Sequence, residues 1–271
     1  MAESAWWDIK NRWDDLSDVK VRKVAKHGWI ALVTASGGKA GIINITNEKR
    51  SVTLDDDEVL WQATPGGNPH AIERIPYNGA IVVASSKTGR LTLYVPTGKD
   101  INDYSKIKKS QFHYELDGAH GVLWDPNGSS SVSKGFLWAV GREYLYKYRV
   151  EGSGKSTRLV RDEKKYRIPG GGLGHDLQPD FGNKNSLLVT DSYGAYAFNT
   201  KSNKWTTLKK MKKIKSLARH ENGEYMWVTG NKDELGQYVE FAKSVGAKKS
   251  TKRGWSAARF YKARFYRTDF D

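Results

Sequence analysis

Asn68-Pro69-His70-Ala71-Ile72-Glu73-Arg74-Ile75-Pro76-Tyr77-Asn78-Gly79, followed by Ala80-Ile81-Val82-Val83-Ala84, is the stretch whose reading decides the fold. A histidine opens a short strand, a turn follows, and an apolar strand comes back. The pattern returns as His120-Gly121-Val122-Leu123-Trp124-Asp125-Pro126-Asn127-Gly128 with Phe136-Leu137-Trp138-Ala139-Val140. It returns again as His175-Asp176-Leu177-Gln178-Pro179 with Leu187-Leu188-Val189-Thr190. A fourth copy is Lys215-Ser216-Leu217-Ala218-Arg219-His220-Glu221-Asn222-Gly223 with Tyr225-Met226-Trp227-Val228. The first position of the repeat thus reads His, His, His, Lys.

Working outward from these copies, the chain divides into units that start near residues 20, 70, 120, 175 and 215. Each unit holds four short strand candidates, with the last unit closing on 215–219, 225–229, 237–242 and 259–267. Repeats of about 40–50 residues with four strands each are the signature of propeller blades. The expected architecture is an all-β, five-bladed β-propeller with blades at about 19–65, 66–117, 118–170, 171–211 and 212–271. It forms a single domain, 19–271, behind an N-terminal strap, 1–18, whose Trp6, Trp7 and Trp13 pack on the body. The alternative, six blades, would need the strap to supply one, and it is too short.

Composition agrees with a packed β domain. The chain has 271 residues, 38% hydrophobic and 12% aromatic, with ten tryptophans. Trp61, Trp124, Trp138, Trp205 and Trp227 fall in strands and read as blade core, whereas Trp29 and Trp255 fall at strand edges. The formal net charge of +15 favours polyanionic partners such as acidic polysaccharide. Without cysteine, disulfides, zinc-thiolate sites and cysteine nucleophiles are excluded. No apolar run approaches the ~18 residues of a membrane span, and residues 1–7 do not read as a signal peptide.

In a propeller the first strand of every blade lines the central axis, so His70, His120, His175 and Lys215 are expected around one mouth, with Lys20 or Arg22 from the first blade. Glycine-rich loops, such as 65–69 and 169–174, enter these strands and let backbone approach a ligand closely. Three imidazoles there admit three readings. They could ligate one divalent metal ion, with an open position for substrate. They could act as acid and base without a metal, while Lys and Arg hold an acidic sugar. Or they could bond neighbouring backbone and close the channel. Glu73 and Asp125 read as turn or blade-to-blade carboxylates, and His175 and Asp176, being adjacent, are expected on opposite strand faces. No nucleic-acid motif is present.

The chain resembles a family of mostly secreted bacterial and fungal proteins known as domain of unknown function 6528. The resemblance rests on Asn68-Pro69-His70 with Glu73, His120 with Leu123-Trp124-Asp125 and Leu137-Trp138-Ala139-Val140-Gly141, Gly174-His175-Asp176-Leu177, Lys215-Ser216 and Phe260-Tyr261-Lys262-Ala263-Arg264. It implies a secreted propeller and no settled activity, with the signal peptide absent from this sequence. The His-lined face also looks like that of propeller polysaccharide lyases acting on uronates, a likeness at the level of fold.

The function expected is binding of, or action on, acidic carbohydrate at the axial site, as a uronate-directed lyase. His70, His120 and His175 are the candidate catalytic groups or metal ligands. Lys20, Asn68, Lys215, Tyr261, Lys262 and Arg264 are the candidate substrate contacts. The alternatives are a non-catalytic, lectin-like binder of polyanions and, behind it, a nucleic-acid binder. A monomer is expected.

Overall fold

The computed structural model describes residues 13–46, 58–128, 135–232 and 234–266. Runs of β-branched and aromatic residues separated by glycine-rich turns pair into five antiparallel sheets, each ordered as in the chain. Blade 1 comprises β1 (Leu16–Val24), β2 (Gly28–Ala35), β3 (Lys39–Asn44) and β4 (Val59–Ala63). Blade 2 comprises β5 (Pro69–Arg74), β6 (Ile81–Ser85), β7 (Arg90–Pro96), β8 (Ile107–Lys109) and the short β9 (Tyr114–Glu115), which also pairs with β7. Blade 3 is β10 (Gly121–Asp125), β11 (Phe136–Val140), β12 (Tyr144–Glu151) and β13 (Arg158–Arg167). Blade 4 is β14 (Gly174–Pro179), β15 (Ser186–Asp191), β16 (Gly194–Asn199) and β17 (Lys204–Lys210). Blade 5 is β18 (Ile214–Arg219), β19 (Tyr225–Thr229), β20 (Val239–Ala242) and β21 (Thr251–Arg253). The five-bladed β-propeller is therefore the fold. No helix among the described residues is long and apolar enough to cross a membrane.

The core lies between blades, where one sheet packs its face on the next. Val24, Ile30, Leu32 and Ile42 of blade 1 meet Ile72, Ile81, Val83 and Tyr94 of blade 2. Val82, Leu91 and Leu93 of blade 2 meet Val122, Trp124, Ala139 and Tyr148 of blade 3. Leu123, Trp138 and Leu145 of blade 3 meet Leu187, Val189 and Phe198 of blade 4. Leu188 and Ala195 of blade 4 meet Leu217 and Trp227 of blade 5. Each large side chain so buried contributes about 1.5–3 kcal/mol. Trp13 of the strap is buried on blade 1 as expected, against Ala31, Val33 and Ile43. Trp6 and Trp7 lie outside the described residues.

The seam between blade 5 and blade 1 is built differently, and here the strand expected at 259–267 is corrected. The outer strand of blade 5 is β21, within the basic stretch 244–254. Residues 260–266 run instead along the seam. Phe260, Ala263 and Phe265 pack on Ala218, Met226 and Val228 of blade 5. Tyr266 stacks on Trp29 of blade 1, with ring centroids 4.8 Å apart. The alternating pattern of this segment is that of a strand. Its Lys262 and Arg264, however, pair with carboxylates at the axis.

Candidate functional site

The inner strands reach the axis with a shared irregularity. In β1, β5, β14 and β18 the pairing register slips by one residue, around Ser17, His70, His175 and Lys215 respectively. In blade 3, His120 stands just before the first paired residue of β10 and donates its backbone N–H to Val140 O at 3.0 Å. A bulge of this kind turns its extra side chain out of the normal alternation. It gathers His70, His120, His175 and Lys215 at one mouth, as the repeat implies. The first-blade member is Ser17, rather than Lys20 or Arg22. Its hydroxyl donates to Pro69 O at 2.6 Å and meets Thr34 Oγ1 at 3.0 Å. The bulge also brings His175 and Asp176 both to the axis, correcting the expectation that they face apart.

The three imidazoles form a buried row. The ring centroids of His70 and His120 are 4.4 Å apart, and those of His120 and His175 5.7 Å. Exposure is 7% at His70, 9% at His120 and 7% at His175. His70 Nδ1 donates to Asn68 O at 3.0 Å and His120 Nδ1 to Gly118 O at 2.7 Å. A carbonyl can only accept, so both rings carry the proton on Nδ1 and keep Nε2 as a free acceptor. His175 is turned the other way. Its Nε2 faces Lys215 Nζ at 3.3 Å and Ser192 Oγ at 3.4 Å, and its Nδ1 is buried without a partner. Lys215 in turn pairs with the half-exposed Glu234.

Burial keeps these rings uncharged. The His70 pKa is held down at about 3 by burial, then by His120 and Lys262. That of His120 is held at about 4 by burial, Lys262, Lys215 and Arg142, against the help of the Gly118 carbonyl. That of His175 is held at about 2 by burial, Lys215, His120 and Lys262. Among the described residues no group of three or more His, Asp or Glu side chains is arranged to hold a metal ion.

Below the imidazoles lies a buried charge network. Lys262 Nζ donates to His70 O at 2.8 Å and His120 O at 3.3 Å and lies 3.7 Å from Asp176. Arg264 joins Asp176 of blade 4, at 2.7 and 3.0 Å, to Asp18 of blade 1, at 2.6 Å. Lys20 donates to Ile72 O at 2.9 Å and to Val122 O, between Asp18 and Glu73. Arg22 grips Glu73 with two bonds, at 3.0 and 2.6 Å. Burial opposes ionisation of Asp18, but Arg264, Lys262 and Lys20 more than offset it and hold its pKa below the usual range. Burial lowers the pKa of both lysines. The cations Lys20, Lys262 and Arg264 are thus engaged with protein carboxylates and carbonyls. Tyr261, on the same segment, turns its ring edge-on to His70 at 5.5 Å, and burial raises its phenol pKa.

Of the nine residues singled out from the sequence, Asn68, His70, His120, His175, Lys215 and Tyr261 line the mouth or support its rings. Lys20, Lys262 and Arg264 form the layer beneath. Glu73 is the blade-to-blade carboxylate it reads as, also accepting from Trp124 N at 3.3 Å. Asp125 serves its own turn, accepting from Asn127 N at 2.8 Å. Ser192 lies in the turn between β15 and β16, which the blade pattern puts on this face, whereas Glu234 and Asp18 carry no pattern that would have marked them.

A model of a family of unknown function, DUF6528, matches residues 8–261. No curated protein matches the chain. Among solved structures, a functionally unknown protein from Desulfotomaculum acetoxidans DSM 771 aligns with a TM-score of 0.57 at 12% identity, covering 89% of this chain and 71% of that one. A chain of a nidogen/laminin complex aligns with a TM-score of 0.53 at 12% identity, covering 90% and 79%. At these identities the likeness bears on the fold.

Proposed function

We propose, for a chain that belongs to the DUF6528 family of unknown function, that the axial mouth binds acidic carbohydrate outside the cell. The observation that carries this reading is the Lys215 ammonium beside uncharged imidazoles whose Nε2 atoms are free on His70 and His120. A uronate offers a carboxylate and several hydroxyls on one ring. The carboxylate would take Lys215 in exchange for Glu234, which is half-exposed and keeps Lys213 as its other partner. The hydroxyls would donate to the two Nε2 acceptors. A protonated imidazole could not accept, so the depressed pKa values suit the role. Lys262 stays on its carbonyls and Asp176 and lends the mouth positive potential from beneath.

Tyr261 beside His70 favours elimination as a second reading. His70 Nε2 would take the proton next to the carboxylate, the electron pair would form the ring double bond, and the glycosidic C–O bond would break. The Tyr261 hydroxyl would protonate the leaving oxygen. Neither reading requires a metal.

Calorimetric titration with polygalacturonate, alginate and heparosan tests the binding. The expected result is binding to at least one of the three, weakened about tenfold or more in Lys215→Met, the worth of a hydrogen bond to a charged group. Unchanged affinity in Lys215→Met would overturn the reading, as would binding of every polyanion alike that vanishes at moderate salt. Loss of binding in chelator, restored by a divalent cation, would move the site to a metal. Unsaturated products seen by ultraviolet absorbance would separate the lyase from the binder.

A further inference from the structure

We infer that the axial mouth is one end of a track across blades 4 and 5, lined by Tyr193, Trp255 and Tyr238, that takes an extended acidic glycan chain rather than a single sugar. This rests on the acidic-carbohydrate reading of the mouth. It assigns a partner surface to residues that neither the core nor the axial network uses.

Four aromatic residues stand out by exposure among the described residues; Tyr266, 45% exposed, is stacked on Trp29 at the seam, and the other three are set apart. Tyr193 is 51% exposed, Tyr238 41% and Trp255 55%, whereas most aromatic rings in the blades are buried or half-buried between sheets. All three lie on the face that carries the mouth. Tyr193 sits in the turn between β15 and β16, next to Ser192, whose hydroxyl reaches His175. Tyr238 immediately precedes β20 and Trp255 follows β21 by two residues. A chain of contacts links Trp255 to the mouth. Lys215 pairs with Glu234, and two residues on Gly236 bridges to Phe260. The Phe260 ring stands edge-on to Trp255 at 5.3 Å.

Glycine lets the backbone pass close beside two of the rings. A side chain at Gly172 would fall 2.8 Å from the Tyr193 ring, and one at Gly254 would fall 3.1 Å from Tyr238. Cations interleave with the rings. Lys252 Nζ lies 5.6 Å from the Tyr238 ring centre, Lys213 shares Glu234 at 3.2 Å, and Arg253 is exposed beside them. Exposed rings offer an apolar face to the C–H side of a pyranose, and each ammonium or guanidinium meets a carboxylate of the repeating unit. Rings and cations together also suit single-stranded nucleic acid. The free Nε2 acceptors at the mouth favour a ligand rich in hydroxyl donors, which a DNA phosphodiester chain is not.

The test is titration with oligogalacturonate, oligomannuronate and heparosan fragments of one, two, four and eight sugars. Wild type is compared with Tyr238→Ala/Trp255→Ala, Tyr193→Ala, Trp255→Phe and Lys215→Met, all first matched for melting temperature. The expected result is wild-type affinity that rises with chain length for at least one series. The double variant should bind the octamer about tenfold or more weakly, the scale of one lost ring contact, and the disaccharide as wild type does. Trp255→Phe, which keeps a ring at 255 and Tyr238 beside it, should stay close to wild type, and Tyr193→Ala, on the other blade, should give its own loss. If the double variant and Tyr193→Ala bind the octamer like wild type while Lys215→Met weakens every length, the track is wrong and the mouth stands. If Lys215→Met is also unaffected, or wild type binds no fragment, both fail. Binding of a 20-nucleotide oligothymidylate that the same variants abolish, with no glycan bound, would assign the track to nucleic acid.

Discussion

Three imidazoles that stay neutral in a cation-rich layer have a measurable consequence. Their folded pKa values, about 3, 4 and 2, lie below the value of about 6.5 in an unfolded chain. Between pH about 6.5 and about 4 the unfolded chain takes up protons that the folded protein refuses, so stability falls as pH falls, by up to ~1.4 kcal/mol per pH unit for each ring. Above pH about 6.5 the contribution is complete, because both states are then neutral. Urea denaturation of wild type and His120→Gln across this range should give a shallower slope in the variant; parallel slopes would mean that His120 charges freely in the fold. The row itself was legible as His70, His120 and His175 at one repeat position. Which nitrogen each ring leaves free was not, because that depends on Asn68 O and Gly118 O in one case and on Lys215 in the other.

At the scale of the element, the inner strand works through its one-residue slip. The turn ahead of β5 shows how it is set up. Gly67 has φ of +66° and Asn68 follows at +64°, both left-handed. A Cβ on Gly67 would lie 2.2 Å from Thr88 Cγ2. Gly67→Ala is therefore expected to cost about 1–3 kcal/mol, from the left-handed backbone and a displaced Thr88. It should also weaken glycan binding, since Asn68 O orients His70. A urea midpoint equal to wild type would show that the turn relaxes at no cost. Strand placement could be read from the apolar runs at 80–84, 136–140 and 187–190, because a strand buried on both faces needs little beyond local pattern. The outer strand β21, Thr251–Arg253, is exposed along its length and leaves no hydrophobic trace, so the pattern pointed to 259–267 instead. The bulges were invisible for a related reason: an extra residue changes the facing of His175 and Asp176 without changing composition.

In the whole molecule, ring closure depends on Arg264, which joins Asp18 of blade 1, 246 residues away in sequence, to Asp176 of blade 4. Arg264→Ala leaves both carboxylates buried without their guanidinium and should destabilise the propeller by about 3–5 kcal/mol. A contact between chain ends costs the most loop entropy and is expected to form after the blades. The loss should then appear as faster unfolding with refolding little changed. Stopped-flow urea jumps would check this; slower refolding at an unchanged unfolding rate would place closure in the nucleus instead.

The blades, their number and the His-His-His-Lys row were determined by the sequence alone, because each rests on a pattern within about 50 residues that recurs. The partners of the axial charges were decided only by the tertiary structure. Lys20, Lys262 and Arg264 read from sequence as free cations for a ligand; apart from Asp18, two residues before Lys20, the carboxylates they meet lie far away in the chain. Burial on the axis makes an unpaired charge too costly. The closed ring supplies Asp18, Glu73 and Asp176 from three blades, and Lys215 is left at the rim beside the uncharged imidazoles.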